Sequence, residues 1–94
     1  MIKMKVRFYS IFRDLFGDSS KVVRLPDGST IEELLGFLCD SEQRIREIYD
    51  DSGELGSYVF ITLNRGNGVQ LIQEPDVTLE NGDVVSIFPP IGGG

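Results

Sequence analysis

The chain opens on strict alternation: Ile2, Met4, Val6 and Phe8 are apolar, and Lys3, Lys5, Arg7 and Tyr9 intervene or follow. A period of two sends successive side chains to opposite faces, so this segment predicts a half-buried strand. The alternation breaks at Ser10. From there to Gly17 the residues Ile11, Phe12, Leu15 and Phe16 bunch at helical spacing, which fits a short helical turn or a tight packed connection. Lys21 to Leu25 carries Val22 and Val23 and is short enough for an edge strand. Pro26-Asp27-Gly28 is a turn, because proline presets φ and glycine tolerates positive φ.

Ile31, Leu34, Leu35 and Leu38 recur at i, i+3, i+4 and i+7 and make one apolar helical stripe. Thr30 with Glu33 reads as a capping box, and Ser29 with Glu32 fits the same pattern one residue earlier. Gly36 inside this helix costs about 1 kcal/mol relative to alanine, which a close helix–sheet contact would explain. Ser41 to Tyr49 suits a second, mostly polar helix with Ile45, Ile48 and Tyr49 on one side, and Asp50 to Gly56 reads as an acidic loop. Alternation returns at Tyr58, with Val59, Ile61 and Leu63 on one face and Tyr58, Phe60 and Thr62 on the other. Asn64 to Gly68 turns the chain, and Val69 to Ile72 is positioned to pair back. Asn81-Gly82-Asp83 leads into the strand Val84 to Phe88, which Pro89-Pro90 ends because neither residue can donate to a ladder. The order predicts one α+β unit: a mixed sheet of four to five strands with one main helix packed on one face.

At 94 residues the chain has room for a single core. Its formal charge of −6 argues against nucleic acid, whose phosphates demand clustered lysine and arginine, and equally against anionic membrane surfaces. The absence of histidine removes the commonest metal ligand and general base together. A single cysteine makes neither an internal disulfide nor a zinc site. With no secretory leader pattern and no apolar run long enough to span a bilayer, the expectation is a reduced, cytoplasmic protein that binds no metal and is not an enzyme on its own. Cys39 beside Asp40 lacks the cationic setting of a reactive thiol. Gly66-Asn67-Gly68 lacks the lysine and following helix of a phosphate loop, and Asp50, Asp51 and Glu54 lack a calcium-loop spacing.

The ending carries the most chemistry. Gly82-Asp83, Val85, Pro89-Pro90 and Gly93-Gly94 resemble the closing stretch of the MoaD/ThiS family of ubiquitin-like sulfur carriers. Phe12-Arg13-Asp14-Leu15-Phe16-Gly17, Pro26 to Leu35, and Ile61-Thr62-Leu63-Asn64 are similar to further segments of that family, so the resemblance runs over essentially the whole chain. It implies a β-grasp domain at 1–88 and a tail at 89–94. It also implies that an activating enzyme related to ubiquitin E1 adenylates Gly94, after which a sulfur donor leaves a C-terminal thiocarboxylate. ATP and magnesium then belong to the activating partner, and this chain binds no cofactor. The acidic segment at 50–56 favours the molybdopterin branch, with the large subunit of molybdopterin synthase as the second partner. Carriers for thiamine, tRNA thiolation or cysteine formation, and modifiers joined to lysines, are the alternatives.

Elementary chemistry agrees with that role. An α-carboxylate has a pKa near 3.5 and is anionic at neutral pH, so it attacks phosphorus without a base. The six residues from Pro89 to Gly94 reach roughly 20 Å when extended. Gly92, Gly93 and Gly94 have no side chain to obstruct a narrow channel. Alternation also places Tyr9, Phe60 and Phe88 opposite the helix. In a ubiquitin-like sheet their strands are neighbours, which predicts an apolar patch for a partner, continued by Pro89, Pro90 and Ile91. Cover of these rings by the polar segment 41–57 is the alternative. The acidic balance predicts a partner with a basic rim, and the free protein is expected to be a monomer.

Overall fold

The computed structural model describes residues 1–90. Five strands form one mixed sheet: β1 (Ile2–Phe8), β2 (Ser20–Leu25), β3 (Phe60–Asn64), β4 (Val69–Leu71) and β5 (Val84–Phe88), in the order β2-β1-β5-β3-β4. β1 and β2 are an antiparallel hairpin, β5 inserts parallel to β1 and antiparallel to β3, and β4 forms the far edge. Three helices, α1 (Ile11–Phe16), α2 (Ile31–Leu38) and α3 (Glu42–Ile48), complete the described residues. This is the β-grasp architecture.

The two periods of the sequence meet in one core. Met4, Val6 and Phe8 of β1, Val23 and Leu25 of β2, Ile61 and Leu63 of β3, and Val85 and Ile87 of β5 are buried together with Ile31, Leu34, Leu35 and Leu38 of α2. α2 starts on a reciprocal cap, which settles the choice in favour of Thr30: its hydroxyl accepts from the Glu33 N–H at 3.3 Å, and the Glu33 carboxylate accepts from the Thr30 N–H at 3.2 Å. The segment after Tyr9 is helical because Phe12 and Phe16 need burial, and Phe16 stacks on Phe8 at 4.5 Å between ring centroids. α3 forms where polar residues prevail, capped by Ser41 and anchored by buried Ile48, but Ile45 stands exposed rather than sharing that side.

Gly36 departs from expectation. A Cβ built there meets nothing within 4 Å, so no close contact with the sheet requires a glycine. The helix bears that cost without a packing reason.

Candidate functional site

The face of the sheet opposite the helices is uncovered, and its C-terminal end holds the three rings. Phe60 and Phe88 are register partners across β3 and β5, with centroids 6.0 Å apart at 76°. Tyr9 follows β1, which lies on the other side of β5. Its N–H donates to the Ile87 carbonyl at 3.1 Å, and its ring meets Phe88 edge-on at 6.4 Å. Edge-to-face contacts of this kind hold rings in a fixed relation while leaving their outer surfaces accessible. Tyr9 and Phe60 keep 40% and 37% of their surface exposed, so the segment 41–57 does not cover them. Ile91, Gly92, Gly93 and Gly94 lie outside the described residues.

Two of the rings, Tyr9 and Phe88, border an open groove of about 560 Å³ whose other lining residues are Ser10, Thr62, Val69, Ser86, Pro89 and Pro90. Ser10, Thr62, Val69 and Ser86 were not singled out from the sequence as part of it, although alternation had put Thr62 on the face of Phe60. Val69 reaches this face because β4 pairs with β3 in the register Asn64↔Val69, and Ser86 does so because it alternates with buried Val85 and Ile87. The second of these was available from period two alone. Ser10 arrives by backbone geometry: at φ 56 and ψ −128 it occupies the first central position of a type II′-like turn, and the Phe12 N–H closes that turn on the Tyr9 carbonyl at 3.1 Å.

The turn that aims β5 at the groove is tied down by Asp83, which is buried. Its carboxylate accepts from Arg65 Nε at 3.0 Å and from the Glu80 N–H at 2.7 Å. That bond and the attraction of Asp83 push the Arg65 guanidinium pKa above its ordinary value. Gly82, at φ 89, donates its N–H to the Lys3 carbonyl at 2.8 Å, which fixes β5 beside β1. Gly82-Asp83 is therefore the structural support of the strand that leads to the tail.

The remaining candidates stay out of the chemistry. Burial pushes the Cys39 thiol up to about 11, with Asp40 adding to the shift and Arg44 opposing it, so the thiol is protonated near neutrality. The Asp50 carboxylate accepts from the hydroxyl and N–H of Ser52 and from the Glu54 N–H, and these bonds hold its pKa below the ordinary value. It organises its own loop. No group of three metal-ligating side chains occurs among the described residues. The hairpin turn at Gly66 and Gly68 joins β3 to β4, with both glycines at positive φ. No helix among the described residues is long and apolar enough to cross a membrane.

The family model of the ThiS family matches residues 6–94. This chain belongs to the ThiS family. Among curated relatives, this ThiS-family protein is 29% identical to small archaeal modifier protein 3 of Haloferax volcanii over 93 residues, covering 99% of this chain and 100% of that one. Among solved structures, SAMP1 of H. volcanii superposes with a TM-score of 0.80 at 19% identity, covering 98% and 99% of the two chains, a likeness of fold. A protein described as subunit 1 of molybdopterin converting factor from Pyrococcus furiosus gives a TM-score of 0.73 at 27% identity, covering 97% of this chain and 100% of that chain. Subunit 1 in the complex of subunits 1 and 2 of molybdopterin-converting factor from Helicobacter pylori gives 0.62 at 25% identity, covering 99% and 100%. As a ThiS-family member, the chain is a small sulfur carrier or ubiquitin-like modifier.

Proposed function

We propose that this protein is a sulfur carrier whose working group is the carboxylate of Gly94, and that it serves as the small subunit of a molybdopterin synthase. An E1-like adenylating enzyme supplies the ATP and magnesium site. The Gly94 carboxylate oxygen attacks the α-phosphorus of ATP and releases pyrophosphate. A sulfide donor then attacks the acyl carbon, AMP departs, and a thiocarboxylate remains for transfer to an acceptor. The single observation that carries the reading is the ring cluster on the open face, with Tyr9 and Phe60 exposed and Phe88 half-buried between them, continuing directly into Pro89 and Pro90. A partner that grips the rings receives the residues after Pro90 at its own active site. The pairing of subunits 1 and 2 in the H. pylori factor supports a large-subunit partner.

The test is mass spectrometry of the full chain after incubation with its adenylating enzyme, ATP, magnesium and sulfide. The expected product has one oxygen replaced by sulfur at Gly94, and a chain lacking Gly93 and Gly94 stays unmodified while folding normally. Retained activity in the truncated chain would refute the reading. A second reading, conjugation of Gly94 to lysines of other proteins, is favoured by the full-length match to small archaeal modifier protein 3. Isopeptide-linked lysine adducts in place of the thiocarboxylate would select it.

A further inference from the structure

The charge of the molecule is sorted by surface. None of the fifteen acidic residues lies in any of the described strands, whereas five of the nine basic ones do. Four of those five point to the uncovered face. Lys3, Lys5 and Arg7 alternate with buried Met4, Val6 and Phe8 along β1, at about 7 Å intervals. Arg24 of β2 stands directly opposite Lys3. Among the described residues none of the four takes part in an ion pair, while Arg44, Arg46 and Arg65 all do. Like charges placed directly across a ladder destabilise it, so the Lys3–Arg24 pairing needs a reason outside the fold. The column of cations runs along β1 towards Tyr9, on one flank of the ring cluster.

We infer that the open sheet face docks an acidic surface of a protein partner, with the partner's carboxylates over Lys3, Lys5, Arg7 and Arg24 and its apolar groups over the rings. This reverses the expectation of a basic partner rim, which followed from net charge alone. A protein surface suits the face better than nucleic acid, because the acidic remainder of the molecule repels an extended chain of phosphates. The inference rests on the carrier reading only in naming the adenylating enzyme as the occupant.

The experiment measures activation of Gly94 by that enzyme over a range of salt, for the wild type, for K3E/K5E/R7E, and for R46E, a control on the exposed side of α3. The expected result is a kcat/KM that falls steeply with salt and that charge reversal lowers by about tenfold or more at low salt. That loss should lie in KM with kcat retained, and R46E should match the wild type. Lys3→Glu alone should raise the melting temperature by creating an opposite-charge pair with Arg24, a gain that a merely structural lysine would not trade against binding. Activation indifferent to both salt and charge reversal overturns the inference and leaves the carrier reading intact. If the wild type is not activated at all, the carrier reading fails, and amide shifts on titration with poly-glutamate decide the present inference. Shifts centred on β1 and β2 support it, and their absence overturns it. Tighter binding of duplex DNA than of poly-glutamate also overturns it, in favour of a phosphate backbone.

Discussion

Ser10 is the one non-glycine residue at positive φ among the described residues, and it lines the groove beside Pro89 and Pro90. A side chain there bears backbone strain that glycine would not. Ser10→Gly should raise unfolding free energy by about 1 kcal/mol, read from urea denaturation. Gly36 is the reverse case: with open space around it and an ordinary helical position, Gly36→Ala should stabilise by about 0.5–1 kcal/mol in the same assay. Cys39 gives a prediction in pH. Its folded value of about 11 lies above the ordinary 9.0, so the folded state keeps a proton that the unfolded chain gives up. Its contribution is complete below the ordinary value and is lost as pH rises from there through the folded one. The urea midpoint should therefore decline across that window, and Cys39→Ala should flatten the decline. That Cys39 is unreactive was legible from Asp40 beside it, but its burial just past the end of α2 was not. The freedom around Gly36 was not, because a missing side chain leaves no pattern to show whether anything presses against it.

At the scale of elements, the strands were legible wherever one face is buried, since period two is then enforced by the core. β1 and β5 fall where the alternation of Met4 and Val85 with their outward-facing neighbours puts them, while β3 starts at Phe60, two residues after the alternation that begins at Tyr58. The ring cluster followed from the same alternation plus the adjacency of β1, β5 and β3. What stayed hidden were contacts made across the chain. Arg65 looks like one more turn residue, yet it reaches a carboxylate eighteen positions away, and no local period encodes that. Arg65→Ala leaves the buried Asp83 carboxylate with only its backbone donor. The expected loss is about 2 kcal/mol, moderated because Arg65 is partly exposed and water replaces some of what is removed. Heteronuclear NMR should show the change concentrated in the turn at 80–83 and the adjoining β5.

For the molecule as a whole, net charge was readable at once and misleading by itself, because only strand register shows which charges share a surface. Any face-to-face pairing of two copies through the open sheet would pool cations from both and bring no strand carboxylate to meet them. The protein should therefore remain monomeric in light scattering at low ionic strength despite its exposed rings. Raising salt to about 1 M, where the screening length falls to about 3 Å, should increase the weight-average mass.

The central place of β5 has a mechanical consequence. β5 is held by four register pairs to β1 on one side and five to β3 on the other. A pull on the chain beyond Pro90 runs along the strand and loads both ladders in shear at once, instead of peeling a single edge. An enzyme that grasps and tugs the terminus during turnover would meet the stiffest line of attachment in the domain.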